Sequence, residues 1–476
     1  MEDTQDLSSA VTNLQRVVQR WEQQLASDAE PTAAFRQAMA AFGSALHGVG
    51  QAGFRRFTQA CEIDDEVLLR GGLLYRFKQE VDKEWLTPWG KVVVPRRLYQ
   101  PDRGGPSCVP LDERCGMVGR FLVPELERIT SFLGARLVPS EVEQSLREVL
   151  PEAPSCTAIQ HVLRRVGQSA EEHADQLELA LQATAPLDVD GDTLVVSWDG
   201  VTVPLREAAC KRGRPAERPT GSEGDTSPTA WKEASVGMVA SYQTPLEPQT
   251  EDPVRVDVRY SARMPEAKMV TLIDGLVEQA VEARQRGSFE HLVVLADGKR
   301  EIWRVVDEQP VFDSFTRILD FYHAAEHLSR AAEQLFGKSS APADHWYRTW
   351  RHKLRHEAGA IAGLIRSIAY HRRKLRPSSD RHKAASRELG YFRNNRDKMD
   401  YAGYRALGLI ISSGPVEAAA KTLVGHRLKR SGMRWSREGG QQILNLRVHV
   451  QSGRWDPMWT WYQDHTTIPH VHRAAA

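Results

Sequence analysis

The sequence predicts a multi-domain α/β protein, in which a mainly helical N-terminal region precedes a sheet-bearing domain that is itself interrupted by helices. Three observations predict it. Apolar residues recur every three or four positions from Leu7 to Val49. Three extended segments, TLVVSWDGVTVPL, WKEASVGMVASY and PVRVDVRYSARM, follow one another after Pro186. A long helical, basic stretch then separates a short strand, FTRILDF, from the C-terminal helices. At 476 residues, 41% of them hydrophobic and 26% charged, the chain has the length for about three cores.

Leu7, Val11, Leu14, Val17, Trp21 and Leu25 form the stripe of an amphipathic helix, and Phe35, Met39, Phe42, Leu46 and Val49 repeat it. Residues 1–84 are therefore read as helical. WLTPWGKVVVPRRLY sets Val92, Val93 and Val94 among turn formers and reads as a β-ribbon within 85–120. In 121–186, Pro124 opens a helix to about Arg136, Ser140 and Glu143 form a capping box for a second, and Ser155 caps a third that runs to about Val166. Three short helices with tight turns have the outline of a helix-turn-helix. In the third, Ile159, Val162, Leu163 and Val166 face inward. Thr157, Gln160, His161, Arg164 and Arg165 are left outward, a set suited to base edges and phosphates. A plain three-helix bundle with a polar face fits the same pattern.

Beyond an acidic linker near Pro186–Asp192 come the three strands, a helix over about Glu266–Arg286 and the buried-strand run HLVVLADG. Three strands, a helix and a further strand match the opening order of the ribonuclease H fold. The predicted catalytic domain is thus ribonuclease H-like, comprising 187–323 and 412–476, with an all-helical insertion over 324–411. The segment KRGRPAERPTGSEGDTSPT, between the first two strands, is expected to be a loop.

A net charge of +1 conceals a lopsided distribution. From His345 to Gly440 there are 22 Lys and Arg against 7 Asp and Glu, an excess of +15 that leaves the remainder at −14. Such a concentration suits a polyanion such as nucleic acid; a solvated helical surface is the other reading. The five cysteines are odd in number and scattered, which argues against a disulfide framework, and neither the Cys108/Cys115 pair nor His352/His356 is expected to bind metal. No apolar run approaches the roughly 18 residues of a membrane span, and the opening MEDTQDLSSA is unlike a secretory leader. A cytoplasmic, nucleoid-associated protein with no membrane partner is expected.

Three acids carry the predicted chemistry. Asp199 shares a strand face with Ser197 and Val201, Asp297 ends the strand LVVLAD, and Glu417 lies in the first turn of a helix opened by Gly414 and Pro415. Phosphodiester cleavage needs no protein nucleophile where two divalent cations activate the attacking oxygen and stabilise the leaving one, and such hard cations take carboxylate oxygens. Taken singly, each acid has a plainer reading: Asp199-Gly200 and Asp297-Gly298 as turns, Glu417 as a capping residue. Their joint order favours a shared site.

Several strings resemble those of bacterial insertion-sequence transposases of the ISKra family, within the wider Asp-Asp-Glu group. The block YFRNNRDKMDYAGYRALGLIISSGPVEAAAKTLVGHRLKRSGMRWSREGGQQILNLR is similar to the family's closing block, and SWDG and LADGKREIW are similar to its two aspartate blocks. The resemblance implies that Asp199, Asp297 and Glu417 are the catalytic, metal-binding set for two Mg2+ or Mn2+ ions. Asp320 and His323, in D-F-Y-H, are similar to a D-x-x-H signature of related transposases and are expected near the scissile phosphate. Ser412 and Lys299 depart from the family, which tends to have glycine and a small residue there, and a cation beside Asp297 would lower metal affinity. Trp303 is a candidate for stacking on a splayed base, although core packing is the reading its position favours. Lys421, Arg427, Lys429, Arg430 and Arg434, with Gln160, Arg164 and Arg165, are the expected DNA contacts.

The expected function is therefore a DNA transposase that cuts at the terminal inverted repeats and joins the 3′ hydroxyl to target DNA, working as a homodimer or larger synaptic assembly. A non-cutting DNA-binding derivative and a structure-selective nuclease on the same fold are the alternatives.

Overall fold

The structure, a computed structural model, describes residues 6–28, 31–102, 104–206, 229–248 and 251–466. Cys210 and nearly all of the expected loop KRGRPAERPTGSEGDTSPT lie outside the described residues. The chain divides into two compact units, Met1–His173 with Met458–Ala476, and Ala174–Pro457.

In the first unit, helices α1 (Leu7–Ser27) and α2 (Pro31–Cys61) pack together, with Ala10, Ala34, Ala38 and Ala45 buried. A three-stranded antiparallel sheet follows, in the order β1 (Val67–Arg70), β2 (Leu73–Thr87), β3 (Gly90–Pro101). The expectation of helix through residue 84 and a ribbon from 85 is corrected here, because the sheet begins at Val67. The strand signal in β2 is masked by the charged run Gln79–Glu84 and by a register shift between Phe77 and Gln79 that interrupts the apolar alternation. Gly71 and Gly72 make the β1–β2 turn with φ of 55° and 78°, a geometry that a side chain would strain.

A short helix, α3 (Pro110–Arg114), leads to α4 (Pro124–Gly134), α5 (Pro139–Arg147) and α6 (Cys156–Glu172). The capping box of α5 is not Ser140 with Glu143. Pro139 takes the first helical position, so the helix starts two residues earlier, and Glu141 accepts from the Val138 N–H at 3.2 Å. Glu143 instead accepts from the Cys156 N–H at the start of α6, at 2.9 Å. Ser155 caps α6, accepting from the Ala158 N–H at 3.3 Å.

Ile159, Val162, Leu163 and Val166 of α6 are buried, while Thr157, Gln160, His161 and Arg164 are exposed. Arg165, expected on the same outward face, is turned aside. It pairs with Glu127 of α4, whose side chain is fully buried and which also holds Arg120 at 3.1 Å and accepts from the Tyr462 hydroxyl at 3.4 Å. One residue along a helix is a rotation of about 100°, enough to carry Arg165 from solvent to an internal carboxylate.

The second unit begins with α7 (Ala174–Thr184) and is built on a five-stranded mixed sheet. In chain order its elements are β4 (Thr193–Arg206), β5 (Thr229–Gln243), β6 (Val254–Arg263), α8 (Val270–Arg286), β7 (His291–Ala296), α9 (Arg300–Glu308) and β8 (Thr316–Leu319). The sheet order is β6-β5-β4-β7-β8. The first three strands are antiparallel, while β7 and β8 run parallel to β4. Val293, Val294 and Leu295 are wholly buried, as the apolar run of a parallel strand requires. Trp198 stacks on Phe312 at 6.3 Å within the core.

Between β8 and the last helices come α10 (Phe321–Phe336), α11 (Ala341–His356), α12 (Ala360–Arg372), α13 (Asp380–Asn394) and α14 (Tyr401–Ala406). The chain then continues through α15 (Gly414–Ala419), a π-helical turn (Ala420–Gly425) and α16 (His426–Leu428) to α17 (Arg437–Gln451) and α18 (Trp455–Thr466). The architecture is mixed α/β. No helix among the described residues is long and apolar enough to cross a membrane.

Removing one partner of a buried ion pair strands the others, at a cost of about 3–5 kcal/mol. Glu127→Ala, which removes the buried carboxylate that Arg120 and Arg165 share, should lower the stability of the first unit by about that amount in urea unfolding. A loss below about 1 kcal/mol would show that the pair is solvent-screened instead.

Candidate active site

The register of the parallel strands decides where the acids emerge. Pairing of β4 with β7 stops at Ser197–Leu295, and pairing of β7 with β8 stops at Ala296–Leu319. Asp199, Asp297 and Asp320 follow within two residues of those last pairs. Asp297 and Asp320 therefore leave the carboxyl ends of β7 and β8, beside Asp199, which lies within β4 where that strand runs on past its parallel neighbour; this is the edge where open α/β sheets expose ligand-binding groups.

Asp320 is the most enclosed of them, with a fully buried side chain. It caps α10: Oδ1 accepts from the His323 N–H at 2.6 Å and lies 3.1 Å from His323 Nδ1. Oδ2 accepts from the Ser413 N–H at 2.5 Å, and the Phe321 N–H donates to the Ile411 carbonyl at 2.9 Å. The chain returning from the helical segment is thereby fastened to the sheet edge just before α15. Pro415 sits in the first turn of that helix, and Glu417 follows, its Oε1 accepting from the Ser413 hydroxyl at 2.8 Å. One ligand atom each from Asp320, His323 and Glu417 lies within 4.8 Å of the others.

These contacts set the charges. Burial alone would raise the Asp320 carboxyl, but the His323 ring and the backbone N–H groups of Ser413 and His323 hold it below the usual carboxylate range. The Asp320 carboxylate in turn raises His323 to about 9, against the opposing effect of burial and with help from Asp297 and Glu417. Near neutral pH the ring is an imidazolium.

Asp199 is pushed up by burial and by Asp297, opposed by the Gly200 N–H, which donates to its Oδ1 at 2.7 Å, and by Lys299. The Lys299 ammonium stands 3.4 Å from Asp297 Oδ2 and 3.7 Å from Glu233 Oε1, while its N–H donates to Asp297 Oδ1 at 2.8 Å. Burial would lower Lys299, but Asp297, Glu233 and Asp199 together raise it.

The predicted trio is therefore gathered only in part. Asp199 and Asp297 share the field of Lys299, whereas Glu417 is grouped with Asp320 and His323. Among the described residues no three-ligand group joins Asp199, Asp297 and Glu417 within that 4.8 Å spacing. Each group carries its own cation, Lys299 beside Asp297 and the His323 ring beside Asp320, which offsets the repulsion of its carboxylates. The donor set still suits a hard divalent ion, because Asp199, Asp297, Asp320 and Glu417 offer oxygen. His323 can add a nitrogen ligand only in its neutral form, so an ion held there by Asp320, His323 and Glu417 would displace the proton that Asp320 favours.

Other expected site residues fall on both sides. Trp303 is a core residue of α9, under the Lys398 ammonium at 5.2 Å, so it offers no exposed ring to a base. Lys421, Lys429, Arg430 and Arg434 are exposed. Arg427 is buried, its guanidinium 5.3 Å from the Trp435 ring, and so is corrected from DNA contact to packing. Three neighbours were not anticipated. Glu233 reaches the site from β5, and Ser413 links Asp320 to Glu417. Tyr391 of α13 covers Gly298, where a Cβ would meet its ring. Its buried hydroxyl has no hydrogen-bond partner among the described residues. Its acidity is suppressed by burial and by Asp297 and Asp320. Of these, only Glu233 carried a sequence signal, as a charge within a predicted strand.

Comparison with protein-family models and with curated proteins returned no match.

The His323–Asp320 pair has a measurable signature. Its folded pKa lies above the unfolded value of about 6.5, so its stabilising contribution is complete below about pH 6.5 and fades as pH rises through about 9. An NMR titration should place His323 near 9 in the native protein and much lower in Asp320→Asn. A ring titrating near 6.5 in the native protein would contradict this geometry.

Proposed function

We propose that the chain is a metal-dependent phosphoryl-transfer enzyme acting on DNA. More narrowly, we read it as a DNA transposase that cuts at element ends and joins the freed 3′ hydroxyl to target DNA. The observation that carries the reading is the emergence of Asp297 and Asp320 from the ends of β7 and β8 beside mid-strand Asp199 of β4, with Glu417 held beside Asp320. The sheet order, three antiparallel strands and then two parallel to the first, supports a ribonuclease H-like catalytic domain. The resemblance of the closing block to insertion-sequence transposases points the same way.

Two Mg2+ or Mn2+ ions held by these oxygens would supply activation of the attacking oxygen and charge stabilisation of the leaving one. The chain's own residues do the rest. Asp320 keeps Glu417 at the sheet edge through Ser413. The His323 imidazolium, donating from the nitrogen that does not face Asp320, offers a proton and a positive charge to a phosphate oxygen at that edge. Tyr391 closes the site over Gly298 and excludes water there. Exposed Lys421, Lys429, Arg430 and Arg434 grip the DNA backbone, as do cations of the helical segment. In the first unit, Gln160 and Arg164 of α6 are available to base edges and phosphates, in the manner of a helix-turn-helix. Processing two DNA ends together calls for a homodimer or larger synaptic assembly. A second reading, a DNA-binding protein that no longer cuts, is favoured by one observation, the ammonium of Lys299 among the acids.

A strand-transfer assay with a labelled element end, plasmid target and magnesium tests these readings. Joining is the expected result; cleavage alone indicates a nuclease, and binding alone the non-cutting protein. Asp199→Asn should retain DNA affinity and lose joining by on the order of 10³-fold, the equivalent of several kcal/mol of charge stabilisation. Full activity in that variant would remove Asp199 from the site. Arg164→Ala should weaken DNA binding and reduce the slope of log affinity against log salt by about 1, as loss of one phosphate contact predicts; an unchanged slope would take α6 away from the backbone.

A further inference from the structure

Lys299 lies where the proposed chemistry has least use for a fixed positive charge. Its ammonium is 3.4 Å from Asp297 Oδ2 and 3.7 Å from Glu233 Oε1, and it acts electrostatically on Asp199 as well. Both separations exceed the 2.7–3.2 Å of a well-made hydrogen bond, so the ammonium is shared between carboxylates and not committed to one. The side chain is about half exposed, at 49%, which leaves it free to change partner.

Glu233 is the acid toward which it can move. It lies on β5, paired with Thr202 beyond the point where β7 stops, and it is 55% exposed. Its carboxyl passes over Gly200, where any Cβ would collide with it. The glycine thus lets the Glu233 carboxyl lie over β4 just past Asp199. Asp199 and Asp297, by contrast, are the oxygens that a divalent ion would use.

We propose that Lys299 is a built-in counter-cation of the Asp199–Asp297 edge that passes to Glu233 when a divalent ion binds, so that Lys299 and Glu233 together set the site's affinity for metal. This rests on the metal-dependent reading above. The ammonium and the divalent ion compete for the same two carboxylates. Glu233 relieves the competition by giving the displaced charge a partner. Lys299 therefore weakens metal binding, and Glu233 moderates that weakening. The effect of Glu233 exists only while Lys299 is present.

The test is calorimetric titration of Mn2+ into the full-length protein without DNA. Lys299→Met should tighten Mn2+ binding by about 10-fold or more, the range expected when a like charge within about 4–6 Å is removed. Glu233→Gln should weaken it by about 3-fold or more, because the ammonium then stays on Asp297. In the Lys299→Met background, Glu233→Gln should no longer act through Lys299, so the double variant should bind Mn2+ at least as tightly as half the single Lys299→Met gain. Lys299→Arg, which keeps the charge, should not reproduce that gain. A gain in affinity is not an outcome that misfolding mimics. Unchanged or weaker binding in Lys299→Met overturns the proposal, as does an undiminished Glu233→Gln effect in its background. Asp199→Asn separates the two levels: if it leaves Mn2+ binding untouched, the metal reading of this edge fails, whereas lost binding together with an inert Lys299→Met defeats the counter-cation alone.

Discussion

The architecture of the candidate site depends on one buried carboxylate. Asp320 ends the sheet, caps α10 and accepts the Ser413 N–H across 93 residues of chain. Everything between those two points is helical excursion, and the carboxylate returns the chain to the edge it left. A fully buried acid is costly unless its oxygens are satisfied, and here donors on both sides supply that satisfaction. Glu417 owes its place to this fastening, since Ser413 both binds Asp320 and donates to Glu417.

The second determinant is register. Because β7 runs parallel to β4 and pairs with it only as far as Ser197, and β8 stops beside β7 at Leu319, Asp297 and Asp320 emerge at the level of mid-strand Asp199. Such a gathering of like charge is unfavourable without compensation. Two cations provide it from opposite sides, the His323 imidazolium next to Asp320 and Glu417, and the Lys299 ammonium next to Asp297 and Glu233. Each of the two neighbouring groups of acids thus has its own counter-charge.

Much of this was legible in the sequence, and what was not has identifiable causes. Alternation along SWDG, the apolar run before Asp297 and the Gly-Pro start before Glu417 are local signals that place each acid on its element, but only their joint order set them apart from turn and capping residues. Asp320 and His323 were visible as a motif, but the capping role was not, because it needs Ser413 from a distant segment. Charge is likewise legible where burial is not. Arg164 and Arg165 are adjacent and chemically identical, yet one is exposed and the other serves buried Glu127. Arg427 misled in the same way, chemically apt for DNA yet enclosed by packing that no spacing rule records, whereas Trp303 takes the core-packing role that its sequence also allowed. The start of the first sheet was hidden for a different reason, a charged strand whose alternation is broken by a bulge.

The central claim is that the acids at the sheet edge hold divalent metal. Anomalous diffraction from crystals grown with Mn2+ addresses it directly. The account predicts a peak at the sheet edge with oxygen ligands from Asp199 and Asp297 at about 2.0–2.3 Å. Absence of metal from that edge at saturating Mn2+, or a peak ligated through the His323 ring and remote from Asp199 and Asp297, would contradict it.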